Sequence, residues 1–80
     1  MVNVNLKKIR LAKGFTQLHL AKKMNISNMA YSRMEIGETK IDVERLKVIS
    51  VLLEVEIEVF FSIGLTESVI KNMKFNQEVV

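Results

Sequence analysis

A polar residue set between two apolar ones, one just before it and one at the fourth position after it, recurs along this chain. Asn5 lies between Val4 and Ile9, Thr16 between Phe15 and Leu20, and Ser27 between Ile26 and Tyr31; Asp42 lies between Ile41 and Leu46, and Thr66 between Leu65 and Ile70. This is the pattern of a helix start: the short polar side chain accepts an otherwise unpaired backbone N–H, and the two apolar residues clamp the turn. Proline is absent and glycine occurs only at 14, 37 and 64, where it can supply the left-handed conformation that stops a helix. The spacing predicts helices over roughly 6–13, 17–24, 28–36, 43–53 and 67–75, and with them an all-α fold.

One stretch resists this reading. In "VEIEVFF" at 55–61, Val55, Ile57 and Val59 alternate with acids, following Glu54, which is the two-residue period of a half-buried strand. No second strand pattern exists to pair with it, and a lone strand leaves its backbone groups unsatisfied. A short helix capped weakly by Glu56, with Val55 and Phe60 as its apolar pair, is the better reading.

Eighty residues, 49% of them hydrophobic, make one small domain near the size at which a single core supports folding. Without cysteine there is neither a disulfide framework nor a thiolate site, and the lone His19 cannot build a metal site. No cofactor is expected. The longest apolar run, "VISVLL" at 48–53, is far below the roughly 20 residues that span a bilayer, so a soluble cytoplasmic protein with no membrane partner is expected. Charge is divided along the chain. Residues 1–34 carry seven bases and no acid, a charge of +7, whereas residues 35–80 carry five bases and nine acids, a charge of −4. Such a split suggests that the first half meets a polyanion.

The second and third predicted helices are joined around Asn25, the non-glycine residue type that best tolerates a left-handed turn. Leu20, Ala21 and Met24 then face inward from one helix, Tyr31 and Met34 from the next, which is a helix-turn-helix. From about Ile9 to Phe61 the sequence resembles the Cro-repressor-like (Xre-type) helix-turn-helix family. The resemblance is carried by Thr16-Gln17, Leu20-Ala21, Ile26-Ser27, the Glu35 to Gly37 exit, and "RLKVISVLLEV" followed by "FF". It implies a compact five-helix, lambda-repressor-like DNA-binding domain over 1–63; residues 64–80 are left as a C-terminal extension whose own apolar pattern from Thr66 suits a short helix, a candidate for dimerisation.

The resemblance also implies roles. The third helix is expected in the major groove of double-stranded DNA. With Tyr31 and Met34 inward, Asn28, Met29, Ser32 and Arg33 become the base readers: an amide for adenine, a thioether for a thymine methyl, a guanidinium fork for guanine. For Met29, core burial and a base contact stay equally open. Thr16, Gln17, Ser27 and Lys40 match phosphate contacts, which position the protein without reading sequence. Arg10 and Glu35 match a bracing ion pair, with Arg10 also turned toward phosphate. Tyr31 is mainly core, with a hydroxyl that could reach a phosphate. Ile36 stands where the family often has Asn, Glu38 where it often has a base, and Glu54 where Gly usually ends the fourth helix.

No constellation supports catalysis, since Glu54, Glu56 and Glu58 have neither base nor nucleophile beside them. The expected function is a transcriptional regulator, a repressor acting as a homodimer on a palindromic operator, with the tail and 55–61 as the dimer surface. The alternative is an antitoxin-like protein whose acidic C-terminal half holds a toxin-like protein partner.

Overall fold

The structure, a computed structural model, describes residues 2–62. The expected helix at 67–75, the stop at Gly64 and the rest of the 64–80 extension lie outside the described residues. Within them the chain forms four α-helices, α1 (Val2–Ala12), α2 (Gln17–Lys23), α3 (Asn28–Ile36) and α4 (Val43–Leu53), and a 3-10 helix (Ile57–Phe61). The fold is therefore all-helical among the described residues, and "VEIEVFF" enters it as a 3-10 turn in place of either a strand or a fifth α-helix. Glu56 precedes that turn without a side-chain capping bond.

Three of the helix starts owe their position to one hydroxyl or carboxylate each. Thr16 Oγ1 accepts from the His19 amide at 3.0 Å, Ser27 Oγ from Ala30 at 3.0 Å, and Asp42 Oδ1 from Arg45 at 2.8 Å. Each bond satisfies one of the backbone donors that a helix start leaves unpaired. Asn5 breaks the series. It is buried inside α1, which begins at Val2, not near residue 6, and Val4 is 48% exposed, so no apolar clamp forms there. The Asn5 amide instead donates to the Phe60 carbonyl at 2.7 Å, tying α1 to the 3-10 helix.

The helix exits share a backbone device. Gly14, Asn25, Gly37 and Glu54 are left-handed, with φ of 79°, 60°, 88° and 56°. In each case the next amide returns to a carbonyl of the preceding helix: Phe15 to Arg10, Ile26 to Ala21, Glu38 to Arg33 and Val55 to Ser50, at 3.0 to 3.1 Å. Asn25 and Glu54 adopt this conformation without glycine's freedom, a local cost accepted for a sharp reversal. Gly37 is also confined in space, because a Cβ there would sit 3.0 Å from the Asn3 amide nitrogen.

Every element contributes to one core: Leu6 and Ile9, Leu20 and Ala21, Tyr31 and Met34, Leu46, Ile49 and Leu53, Val59 and Phe60. Met24, Ile26, Phe15 and Val55 pack against it half-buried. Small Ala21 is fully buried on α2, the helix that packs against α3. No helix among the described residues is long and apolar enough to cross a membrane.

Candidate nucleic-acid interface

Burial fixes which side of α3 is free. Tyr31, Met34 and Glu35 are buried, whereas Asn28, Met29, Arg33 and Ile36 are exposed and Ser32 is half-buried. Met29, 64% exposed, is not core, and of its two readings only the outward one survives. Exposed Asn28, Met29 and Arg33 therefore share the outer surface of a helix whose inner surface is locked into the core. Ser32 sits at the edge of that surface.

Beneath it lies a polar cluster. Arg10 of α1 donates from Nε to Glu35 Oε2 at 2.8 Å and from Nη2 to Glu35 Oε1 at 2.9 Å, while Nη1 donates to the Phe15 carbonyl at 2.7 Å. Both side chains are nearly inaccessible. The phosphate role read for Arg10 is thereby corrected: its guanidinium is buried and occupied within the protein, so it braces α1, the α1–α2 turn and α3. Gln17, the first residue of α2, adds its amide to Glu35 Oε1 at 3.2 Å, and the Asn3 amide donates to the Glu35 carbonyl at 3.2 Å.

Tyr31 Oη is buried beside this cluster without a hydrogen bond of good geometry, so the hydroxyl faces inward and does not reach phosphate. Burial, with the Glu35 carboxylate close by, pushes its phenol well above the ordinary range. Burial also works against the charge of Glu35, but contacts with Arg10, Tyr31 and Gln17 outweigh it and hold the carboxyl below its usual value. The bond to Glu35, opposed by burial, raises the Arg10 guanidinium.

Around α3, Thr16 and Ser27 are exposed at the starts of α2 and α3. Their capping bonds engage the third amide of each helix, leaving the first amides directed off the helix end. Exposed Lys40 follows α3 and lines a shallow groove of about 340 Å³ with Val2, Asn3, Gly37, Thr39 and Ile41. Lys22 and Lys23 are exposed at the end of α2. His19 stacks on Phe15 with ring centroids 4.9 Å apart. Among the contacts that escape sequence reasoning are two beside α3: Gln17 to Glu35, and Arg33 Nε to Glu38 Oε2 at 4.0 Å. The second carries a signal in hindsight, an acid directly after the glycine that ends α3.

A family model described as helix-turn-helix matches residues 6–60, and neither curated proteins nor solved structures give a significant match. The chain belongs to the helix-turn-helix family of the Cro/C1, Xre-like type, a family of DNA-binding regulators.

Proposed function

We propose that this helix-turn-helix protein is a sequence-specific transcriptional repressor that works as a homodimer on a palindromic operator, with α3 in the major groove. The observation that carries the reading is the outer surface of α3, where exposed Asn28, Met29 and Arg33 stand on a helix held rigidly from beneath by Tyr31, Met34 and the Arg10–Glu35 pair. These side chains match the adenine amide, thymine methyl and guanine fork contacts of major-groove readout. Half-buried Ser32 contributes at the edge. Thr16, Gln17, Ser27 and Lys40 hold flanking phosphates through hydroxyls, amides and one ammonium. Two copies would set their recognition helices about 34 Å apart, one turn of DNA.

In vitro selection of duplexes at fixed salt tests this. The expected result is a consensus with dyad symmetry. Equal retention of unrelated duplexes at matched salt would make the protein a nonspecific nucleic-acid binder instead, and a monomer by light scattering with no cooperative second binding event would remove the homodimer.

A second reading draws on the exposed acids Glu54, Glu56 and Glu58 at the end of α4 and along the 3-10 helix. They offer an acidic edge, far in sequence from the reading helix, to a toxin-like protein partner. Copurification with the product of a neighbouring gene favours that reading over the first.

A further inference from the structure

At three of the four α-helix exits among the described residues, the residue after the left-handed one is apolar and packs back on the core: Phe15, Ile26 and Val55. That contact usually accompanies this kind of helix ending. The exit of α3 differs. Its counterpart is Glu38, exposed, with Oε2 4.0 Å from Nε of Arg33. The same backbone turn that joins the Glu38 amide to the Arg33 carbonyl at 3.0 Å brings the two side chains together, and the turn is backed by Asn3 against Gly37.

The electrostatic setting gives this contact its meaning. From residue 2 to residue 37 no acidic side chain reaches the surface, since Glu35 is buried. Glu38 is thus the first exposed acid of the chain, and it stands beside the one cation on α3. Its neighbour across the glycine, Ile36, is 61% exposed and offers phosphate nothing.

Sequence-independent affinity for DNA comes mainly from cations meeting phosphates. An acid at the margin of the reading surface opposes that approach, and from 4.0 Å it attracts the exposed guanidinium that would otherwise meet any phosphate. Guanine O6 and N7 offer the fork two aligned acceptors in exchange for Glu38; a single phosphate oxygen, itself repelled by Glu38, offers less. We infer that Glu38 is a specificity-determining residue that lowers binding to arbitrary DNA by competing for Arg33, an inference that rests on α3 reading DNA. Discrimination then comes partly from a repulsive element against the wrong partner.

The test compares the full-length wild type with Glu38→Gln, using the duplex best selected by the wild type and a shuffled duplex of equal composition, over a range of KCl. Glu38→Gln is expected to bind the shuffled duplex about three- to five-fold more tightly, the scale of one exposed charge pair. Its affinity for the selected duplex should stay within about two-fold, and its salt dependence on shuffled DNA should steepen by up to about 0.9 in log–log slope. In an Arg33→Ala background the same substitution should have a smaller effect, because Glu38 acts through Arg33. Equal gains on both duplexes, no change on either, or a changed preference at a single cytosine would overturn the inference; the last would make Glu38 a direct base contact. Failure of the underlying reading looks different, because the wild type itself would then bind selected and shuffled duplexes alike.

Discussion

Arg10 and Glu35 meet through two parallel hydrogen bonds of 2.8 and 2.9 Å, and both side chains are shielded from water. The third nitrogen of the guanidinium holds the Phe15 carbonyl, and Gln17 shares the carboxylate. The pair therefore connects α1, the start of α2 and α3. It is the joint that sets the two halves of the helix-turn-helix against the first helix.

Glu35→Gln keeps the size of the side chain and removes its charge, leaving the Arg10 cation buried without a counter-ion. Removing one partner of such a pair costs about 3 to 5 kcal/mol, a large share of the stability of a small domain. Urea denaturation followed by circular dichroism should show a large fall in midpoint. Replacing both residues by apolar ones, Arg10→Met with Glu35→Leu, should recover much of the loss.

Acid and alkali should act on this cluster from opposite sides. The folded state lowers the Glu35 value below its ordinary 4.5, so its contribution is present above pH 4.5 and disappears as pH falls through the lowered value. Tyr31 is raised above its ordinary 10.0, chiefly by burial, so its contribution holds below pH 10 and fades as pH rises beyond it. Tyr31→Phe removes a buried hydroxyl that lacks a hydrogen bond of good geometry but also takes a contact from the Glu35 carboxylate, so stability at pH 7 should change by no more than about 1 kcal/mol. Melting temperatures across pH 3 to 11, a range set about the ordinary values of the two groups, should show the variant losing less above pH 10 than the wild type and, because Glu35 is held down less strongly without the Tyr31 contact, a shallower acid limb.

Asn5 makes a third test, independent of the ion pair. Its amide satisfies the Phe60 carbonyl at 2.7 Å within the core, and Asn5→Ala leaves that carbonyl buried without this donor, at a cost of about 1 to 3 kcal/mol. Hydrogen exchange should show faster opening around residues 57–61, with α2 and α3 less affected.

The same residue marks the limit of what the sequence discloses. Thr16, Ser27 and Asp42 are readable as caps because the bond they make reaches only three residues along the chain. Asn5 fits the identical local pattern, yet its partner is fifty-five residues away, and no local rule contains that contact. Much of the outward surface of α3 is readable too, since fixing Tyr31 and Met34 inside leaves Asn28 and Arg33 outside by helical period, whereas Met29, open between core and surface in the sequence, is decided only by its exposure in the fold. The engagement of Gln17 with Glu35, and the withdrawal of Arg10 from the surface, depend on how α1, α2 and α3 approach one another. The 3-10 form of 57–61 arises likewise: a two-residue apolar period without a partner strand is resolved by burying Val59 and Phe60.

The proposed base-reading and phosphate-holding residues should separate cleanly in binding measurements. Arg33 is exposed and free to exchange Glu38 for a base edge, so Arg33→Ala should relax preference at one base position and lose about 1 to 3 kcal/mol on the selected duplex. Gln17 stands at the start of α2, half-buried, with its amide anchored on Glu35. Gln17→Ala should weaken binding to all duplexes by the same factor and, by taking a donor from Glu35, also lower the urea midpoint slightly. Anisotropy titrations of both variants against a panel of single-base substitutions, at one salt concentration, make the comparison. A uniform loss for Arg33→Ala would remove it from the readout set, and a loss at one position for Gln17→Ala would move it in.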